Sequence, residues 1–151
     1  GDFMVRGSKF TNIRRYGTVF RSKRGVVENS TYTGVSTRSI VFINGTQWPN
    51  GLYASEIIVR NNSISDSGFD HSSKPAVIAF LFNGYRRGAT PIGPRNSLIE
   101  GNTIENSPAP EIELSRVKNA VLRNNRVRLA SGKVVPAKYK ASNSINITEK
   151  R

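Results

Sequence analysis

The chain has 151 residues, which fits a single domain, and its lack of cysteine excludes disulfide bonds and thiol chemistry. Its formal net charge of +13 favours polyanionic partners, because a basic surface attracts phosphate, sulfate and carboxylate groups alike. No apolar run is long enough to span a bilayer, so no membrane partner is expected. The N-terminus carries no export signal, and we expect a fragment or a processed chain.

In chain order, five segments share one pattern of apolar, charged, small and apolar residues: MVRGSKF (4–10), VVENSTY (26–32), IVRNNSI (58–64), LIEGNTI (98–104) and VLRNNRV (121–127). Their steps of 22, 32, 40 and 23 residues are measured along the apolar column Val5, Val27, Val59, Ile99 and Leu122. A step near 22 residues is too short for most helical repeats, and apolar residues two positions apart predict strands. Two steps are therefore a bare coil, and two carry insertions.

Two further columns run through these segments. Asn or Ser occupies the turn between two apolar runs, at Ser8, Ser30, Asn62, Asn102 and Asn125. An inward Asn at such a turn can bond the amide of the next coil, so this column predicts an asparagine ladder. A second column alternates in charge, at Arg6, Glu28, Arg60, Glu100 and Arg123, and predicts a structural ladder of outward ion pairs.

A third strand is predicted in each coil, at 17–21, 39–43, 76–80 and 111–115. Three short strands per coil indicate an all-β, right-handed parallel β-helix of about five coils, with residues 1–151 as one domain. The motif in IVRNNSI, LIEGNTI and VLRNNRV resembles that of pectate-lyase-like β-helix proteins. The segment INGTQWPNGLYASEIIVRNNSI is also similar to β-helical glycoside hydrolases of the α-1,3-galactosidase type, although their adjacent catalytic Asp pair has no counterpart here.

Insertions in a solenoid tend to lie on its functional face, and residues 43–56, 68–75 and 81–96 border the third strand from both ends. A fourth insertion, 131–142, belongs to the last coil. The resemblance places a substrate cleft on the third strand. There Glu111 and Glu113 flank Ile112, so both carboxylates are expected on the cleft floor, roughly 6.5–7 Å apart, near the lower limit for inverting glycosidases. Alternatively, they are surface residues or cation ligands.

Other candidates lie in the loops. Asp70 and His71 form a possible acid–base pair, and Glu56 ends a loop that borders the cleft or begins the next strand as an outward residue. Aromatic faces that bind sugars are expected at Trp48, Tyr53 and Tyr85, with packing onto the coil as the alternative. Arg86 and Arg87 are candidates for gripping an acidic sugar, or they belong to a solvated face.

These features predict a secreted or periplasmic glycoside hydrolase acting on a polysaccharide or oligosaccharide. The alternatives are a polysaccharide lyase acting on an acidic glycan, and a non-catalytic glycan-binding or structural solenoid fragment. No metal or cofactor is expected, except Ca²⁺ if the protein is a lyase. Nucleotide chemistry is not expected, since phosphate-binding loops are missing from the sequence, and nucleic acid is not an expected partner. The ends of the solenoid are expected to be covered by other domains or chains, because open strand edges need partners.

Overall fold

The computed structural model describes residues 2–45, 53–70, 75–83, 93–107 and 111–150. These residues form seventeen β-strands, and none of them forms a helix long and apolar enough to cross a membrane. The strands belong to three sheets, and consecutive strands pass from sheet A to sheet B to sheet C, apart from one extra strand of sheet B near the C-terminus. Each round of three strands is one coil, so the predicted parallel β-helix is confirmed.

Sheet A is entirely parallel and contains, in spatial order, β1 (Asp2–Arg6), β4 (Arg24–Glu28), β7 (Ile57–Arg60), β10 (Arg95–Glu100), β13 (Lys118–Arg123) and β17 (Ile145–Lys150). Sheet B contains β2 (Lys9–Thr11), β5 (Thr31–Thr33), β8 (Ser63–Ser65), β11 (Thr103–Glu105), β14 (Arg126–Arg128) and β15 (Val134–Pro136). Sheet C is also parallel and contains β3 (Thr18–Phe20), β6 (Ile40–Gly45), β9 (Ile78–Asn83), β12 (Ile112–Ser115) and β16 (Tyr139–Ser142).

Inward columns of apolar side chains form the core. In sheet A, Val5 pairs with Val27, Val27 with Val59, and Val59 with Ile99, as the repeat predicts. Because side chains alternate along a strand, each coil adds one apolar layer on the same inner face. Sheet C adds an aromatic stack, in which Phe42 lies 5.0 Å from Phe20 and 4.5 Å from Phe80 between ring centroids.

The asparagine ladder is present. The side chains were expected to bond the amide of the next coil, whereas their carboxamide oxygens accept from the amide of the preceding coil. The Oδ1 atom of Asn102 accepts a hydrogen bond from the amide of Asn62, in the preceding coil, at 3.1 Å. Its Nδ2 donates to the carbonyl of Val59 at 3.0 Å and to Oδ1 of Asn125 at 2.9 Å. The ladder turn itself is left-handed, with φ of 54° at Asn61 and 62° at Gly101, which explains the Asn and Gly that precede the ladder residue.

The outward charge ladder is confirmed at its N-terminal part and at its C-terminal part. Glu28 lies between Arg6 and Arg60 on the outer face of sheet A, and Arg60 donates to it at 2.6 Å. Glu100 likewise accepts from Nε of Arg123 at 2.9 Å. The hydrogen bonds from Arg60 and Arg6 hold the pKa of Glu28 below its usual value.

An antiparallel hairpin ends sheet B. Residues 129–133 turn the chain back, and β15 pairs antiparallel with β14 on the outer side of the last coil. The amide of Ala137 then donates to the carbonyl of Asn125 at 2.9 Å, so the end of the ladder is satisfied locally. The predicted insertion at 131–142 therefore contains one strand that covers the edge of β14, and a second, β16, that is the third strand of the fifth coil.

Candidate functional site

The outer face of sheet C is the face bordered by the long insertions. Residues 46–56 join β6 to β7, residues 84–94 join β9 to β10, and residues 66–77 lead into β9. Strand pairing places Val19, Val41, Ala79, Glu113 and Lys140 in one outward column. We call the outer surface of β3, β6, β9, β12 and β16 the sheet C face.

A second apolar cluster lies on this face. Val41, Ala79 and Leu81 point outward in their strands, yet their side chains are almost completely buried. Tyr16 and Ile43 pack against them and are themselves half-buried. The centre of the sheet C face is therefore covered, and polar chemistry is confined to its margins.

The polar margin next to this cluster holds an ion pair. Nη2 of Arg38 lies 2.9 Å from Oε2 of Glu113, and the two side chains are 17% and 25% exposed. Arg38 precedes β6 in the second coil, while Glu113 belongs to the fourth, so the pair spans about 9.6 Å along the solenoid axis. The third coil, which lies between these two, contributes Ala79 to the column of Glu113.

The expectation that Glu111 shares the cleft floor with Glu113 is wrong. Glu111 is 8% exposed, and its carboxylate accepts a hydrogen bond from the amide of Lys138 at 3.0 Å. Gly17 and Val77 occupy the equivalent position in other coils. Val77 belongs to the core, and a Cβ at Gly17 would contact the buried ring of Tyr32, so this position faces inward. Strand alternation begins at Ile112, and residue 111 lies in the corner before it, where alternation no longer decides side-chain direction. Ile112 and Leu114 are buried as predicted.

Asp70 lies in the corner between sheets B and C. Its amide donates to the carbonyl of Ser36 at 2.8 Å, and it borders a cavity together with Arg14, Arg15, Ser36 and Thr37. His71, its expected partner, lies outside the described residues. Asp70 thus stands among arginines at the edge of the face, and its predicted acid–base role stays a prediction.

Glu56 directly precedes β7 rather than entering the cleft. It adopts a left-handed conformation with φ of 57°, and its amide donates to the carbonyl of Arg95 at 3.1 Å. This places the exposed Glu56 at the margin of sheet A, where its charge interacts with Arg24. Asn96, Asn119 and Asn146 share its left-handed geometry and form an outward amide ladder, with bonds of 3.0 and 2.9 Å.

Of the predicted sugar-binding residues, only Tyr53 falls within the described residues. Its ring lies 5.6 Å from that of Phe82, tilted by 51°, and 41% of the residue is exposed. Tyr53 therefore packs partly on the coil and keeps an exposed surface at the corner between sheets C and A. Trp48, Tyr85, Arg86 and Arg87 lie outside the described residues.

The described residues contain no group of three or more His, Cys, Asp or Glu side chains that could hold a metal ion. A cavity of about 400 Å³ lies away from the sheet C face, at the C-terminal end of the solenoid, between β15 and β17. Its lining includes Leu122 and Tyr139, because inward-facing side chains of the last coils border the cavity there. This cavity belongs to the end of the core rather than to the face with the ion pair.

The sequence alone did not identify four of the residues near this face, which are Arg14, Arg15, Tyr16 and Arg38. Nothing in the repeat marks Arg38, because its partner lies 75 positions away and two coils further on. The consecutive residues Arg14 and Arg15 could have indicated a basic site, since they precede a Tyr at a predicted corner.

Comparison with known proteins agrees with this architecture. A family model for the right handed beta helix region matches residues 1–149 of the chain. No curated protein matches it significantly.

Proposed function

The chain belongs to the right-handed β-helix family and is a carbohydrate-active type of β-helix protein, and from that premise we propose that it is a glycoside hydrolase whose substrate lies along the polar margin of the sheet C face. The observation that carries this proposal is the ion pair of Arg38 and Glu113. It holds an anionic carboxylate, partly open to solvent, on the face that three insertions border.

Glu113 is suited to the role of base. A carboxylate that accepts a hydrogen bond from a guanidinium is charged and fixed in direction, and it can take a proton from a water molecule. An inverting hydrolase also needs a carboxylic acid, separated from the base by about 6.5–9.5 Å. With Glu111 engaged by the backbone, Asp70 is the described carboxylate in the corner that leads into the sheet C face. We assign it the acid role.

A polysaccharide lyase acting on an acidic glycan is the second candidate. The net charge of +13 favours an acidic substrate, and Arg38 is a cation on the same face. Such a reaction removes a proton next to a neutralised carboxylate and leaves an unsaturated product. A hydrolase leaves a new reducing end instead, so the products separate the two reactions.

The test is a panel of neutral and acidic oligosaccharides, assayed for reducing ends and for the ultraviolet absorbance of unsaturated products. For a hydrolase, Glu113→Gln is expected to lower the rate by about 100-fold or more. Glu111→Gln is the matched control, because it removes a carboxylate from the same strand region that bonds only the backbone. Full activity of Glu113→Gln, or an unsaturated product, would overturn the hydrolase assignment.

A further inference from the structure

A basic cavity lies beside the sheet C face and has no part in the reaction proposed above, apart from Asp70 at its rim. Arg14, Arg15, Ser36, Thr37 and Asp70 line it. The lining residues are two arginines, one aspartate and two hydroxyl residues, so their formal charges sum to a positive value. Guanidinium groups are donors that bind sulfate and carboxylate groups in proteins.

The backbone of Arg15 is held in an unusual conformation at this cavity. Its φ of 89° lies beyond the left-handed region that Asn residues occupy elsewhere in this chain, near 50°. The Oγ atom of Ser36 accepts a hydrogen bond from the Arg15 amide at 2.8 Å, and the hydroxyl of Thr37 donates to the Arg15 carbonyl. Strained residues held in this way are concentrated at ligand-binding sites.

The side chain of Arg15 connects the cavity to the sheet C face. Its guanidinium carbon lies 5.8 Å from the centroid of the Tyr16 ring, within the range of a cation–π contact. Tyr16 in turn packs against Val41, Ala79 and Leu81, which form the covered centre of that face. Thr37 of the cavity directly precedes Arg38, so a chain of sugars along the polar margin of this face passes next to the cavity.

From this geometry we infer that the cavity is a binding subsite for an oxyanion substituent of the glycan, a sulfate ester or a uronate carboxylate. Arg15 is the main ligand, Arg14 adds charge, and the strained backbone fixes the direction of the Arg15 side chain. The inference rests on the proposed function for the glycan, but the oxyanion site itself does not depend on any reaction.

Arg15→Gly is the informative variant. Glycine accepts a φ of 89° without strain, and both backbone hydrogen bonds of residue 15 are kept, so the variant is expected to fold with an unchanged or higher melting temperature. The side chain is lost with its guanidinium and its contact to Tyr16. The matched control is Arg128→Gln, which removes the same charge from an exposed position on sheet B.

The probes are three oligosaccharides of equal length, one sulfated, one uronic and one neutral, with inorganic sulfate as a fourth. Losing a charge-assisted hydrogen bond corresponds to roughly a 10- to 100-fold higher Kd. Arg15→Gly is expected to show this loss for the sulfated or the uronic oligosaccharide and not for the neutral one. Whichever charged oligosaccharide shows the larger loss identifies the substituent, while Arg128→Gln should stay within about twofold.

Equal losses in Arg15→Gly and Arg128→Gln would overturn the subsite, because net charge alone would then explain the binding. So would cleavage of a neutral glycan by a protein whose melting temperature does not respond to sulfate, and that result would leave the proposed function intact. If no glycan binds but sulfate stabilises the wild type and not Arg15→Gly, the subsite stands and the proposed function fails.

Discussion

Arg38 and Glu113 are 75 positions apart in the chain, and their side chains meet at 2.9 Å across an intervening coil. Every ladder contact of this solenoid joins neighbouring coils, whereas this ion pair connects the second coil to the fourth. It lies beside a buried apolar cluster, where water screens the charges less than at an open surface. The ion pair is therefore expected to stabilise the fold, and Glu113 is also the proposed catalytic base.

The structural consequence is testable by a double-mutant cycle. Arg38→Met is expected to lower the free energy of unfolding by about 1–2 kcal/mol, between the values for exposed and fully buried ion pairs. Arg38→Met/Glu113→Gln should cost less than the sum of the two single changes. Urea unfolding of the four proteins measures the coupling. Additive losses would mean that the two side chains do not interact.

The asparagine ladder is expected to be the most sensitive polar feature of the core. Asn102 is fully buried, and its side chain hydrogen-bonds Asn62, Val59 and Asn125. Asn102→Ala is expected to cost about 3–5 kcal/mol, because it removes the partner of the buried Asn62 amide and of the Val59 carbonyl and breaks two bonds between side-chain amides.

Asn102→Ser provides the control for this prediction, since Ser30 serves as the ladder acceptor for the Ser8 amide at 3.2 Å. The serine variant keeps one acceptor and should lose clearly less stability than the alanine variant in urea unfolding. Equal losses would show that packing, rather than hydrogen bonding, makes Asn102 important.

The lowered pKa of Glu28 predicts that the folded protein loses stability in acid. Its pKa is held below the usual value of 4.5 by hydrogen bonds from Arg60 and Arg6. A carboxyl group with a lowered folded-state pKa contributes stability that is fully present above its unfolded pKa and is lost as pH falls through the folded pKa. Acidification from neutral pH to about pH 3 should therefore narrow the stability gap between the wild type and Glu28→Gln. A gap that does not change with pH would contradict this prediction.

The raised pKa of Tyr32 predicts that the folded protein loses stability in alkali. Burial raises its pKa to about 12, against the smaller opposing effect of its hydrogen bond with Thr18. The neutral phenol is favoured in the folded state, so its contribution is complete below the ordinary pKa of about 10 and falls as pH rises towards 12. Tyr32→Phe should lack this alkaline decline. The measurement is the melting temperature at several pH values, and parallel curves for both proteins would refute the prediction.

The sequence by itself determined the coil, its three strands and its two ladders. Val27, Val59 and Ile99 repeat at equivalent positions, and side chains two apart on a strand point to one face by covalent geometry alone. The ladder at Asn62 and Asn102 follows from the same argument, because each coil stacks on the next with the same turn.

Only the tertiary structure decided the site. Glu111 lies in the corner before β12, where the strand alternation that predicted its side-chain direction does not apply, and its carboxylate bonds the backbone instead of facing the floor. Arg38 meets Glu113 across an intervening coil, and Arg15 lies over the ring of Tyr16 with its own backbone at a φ of 89°. Such contacts depend on side-chain length and on gaps between coils, which a repeat pattern does not encode.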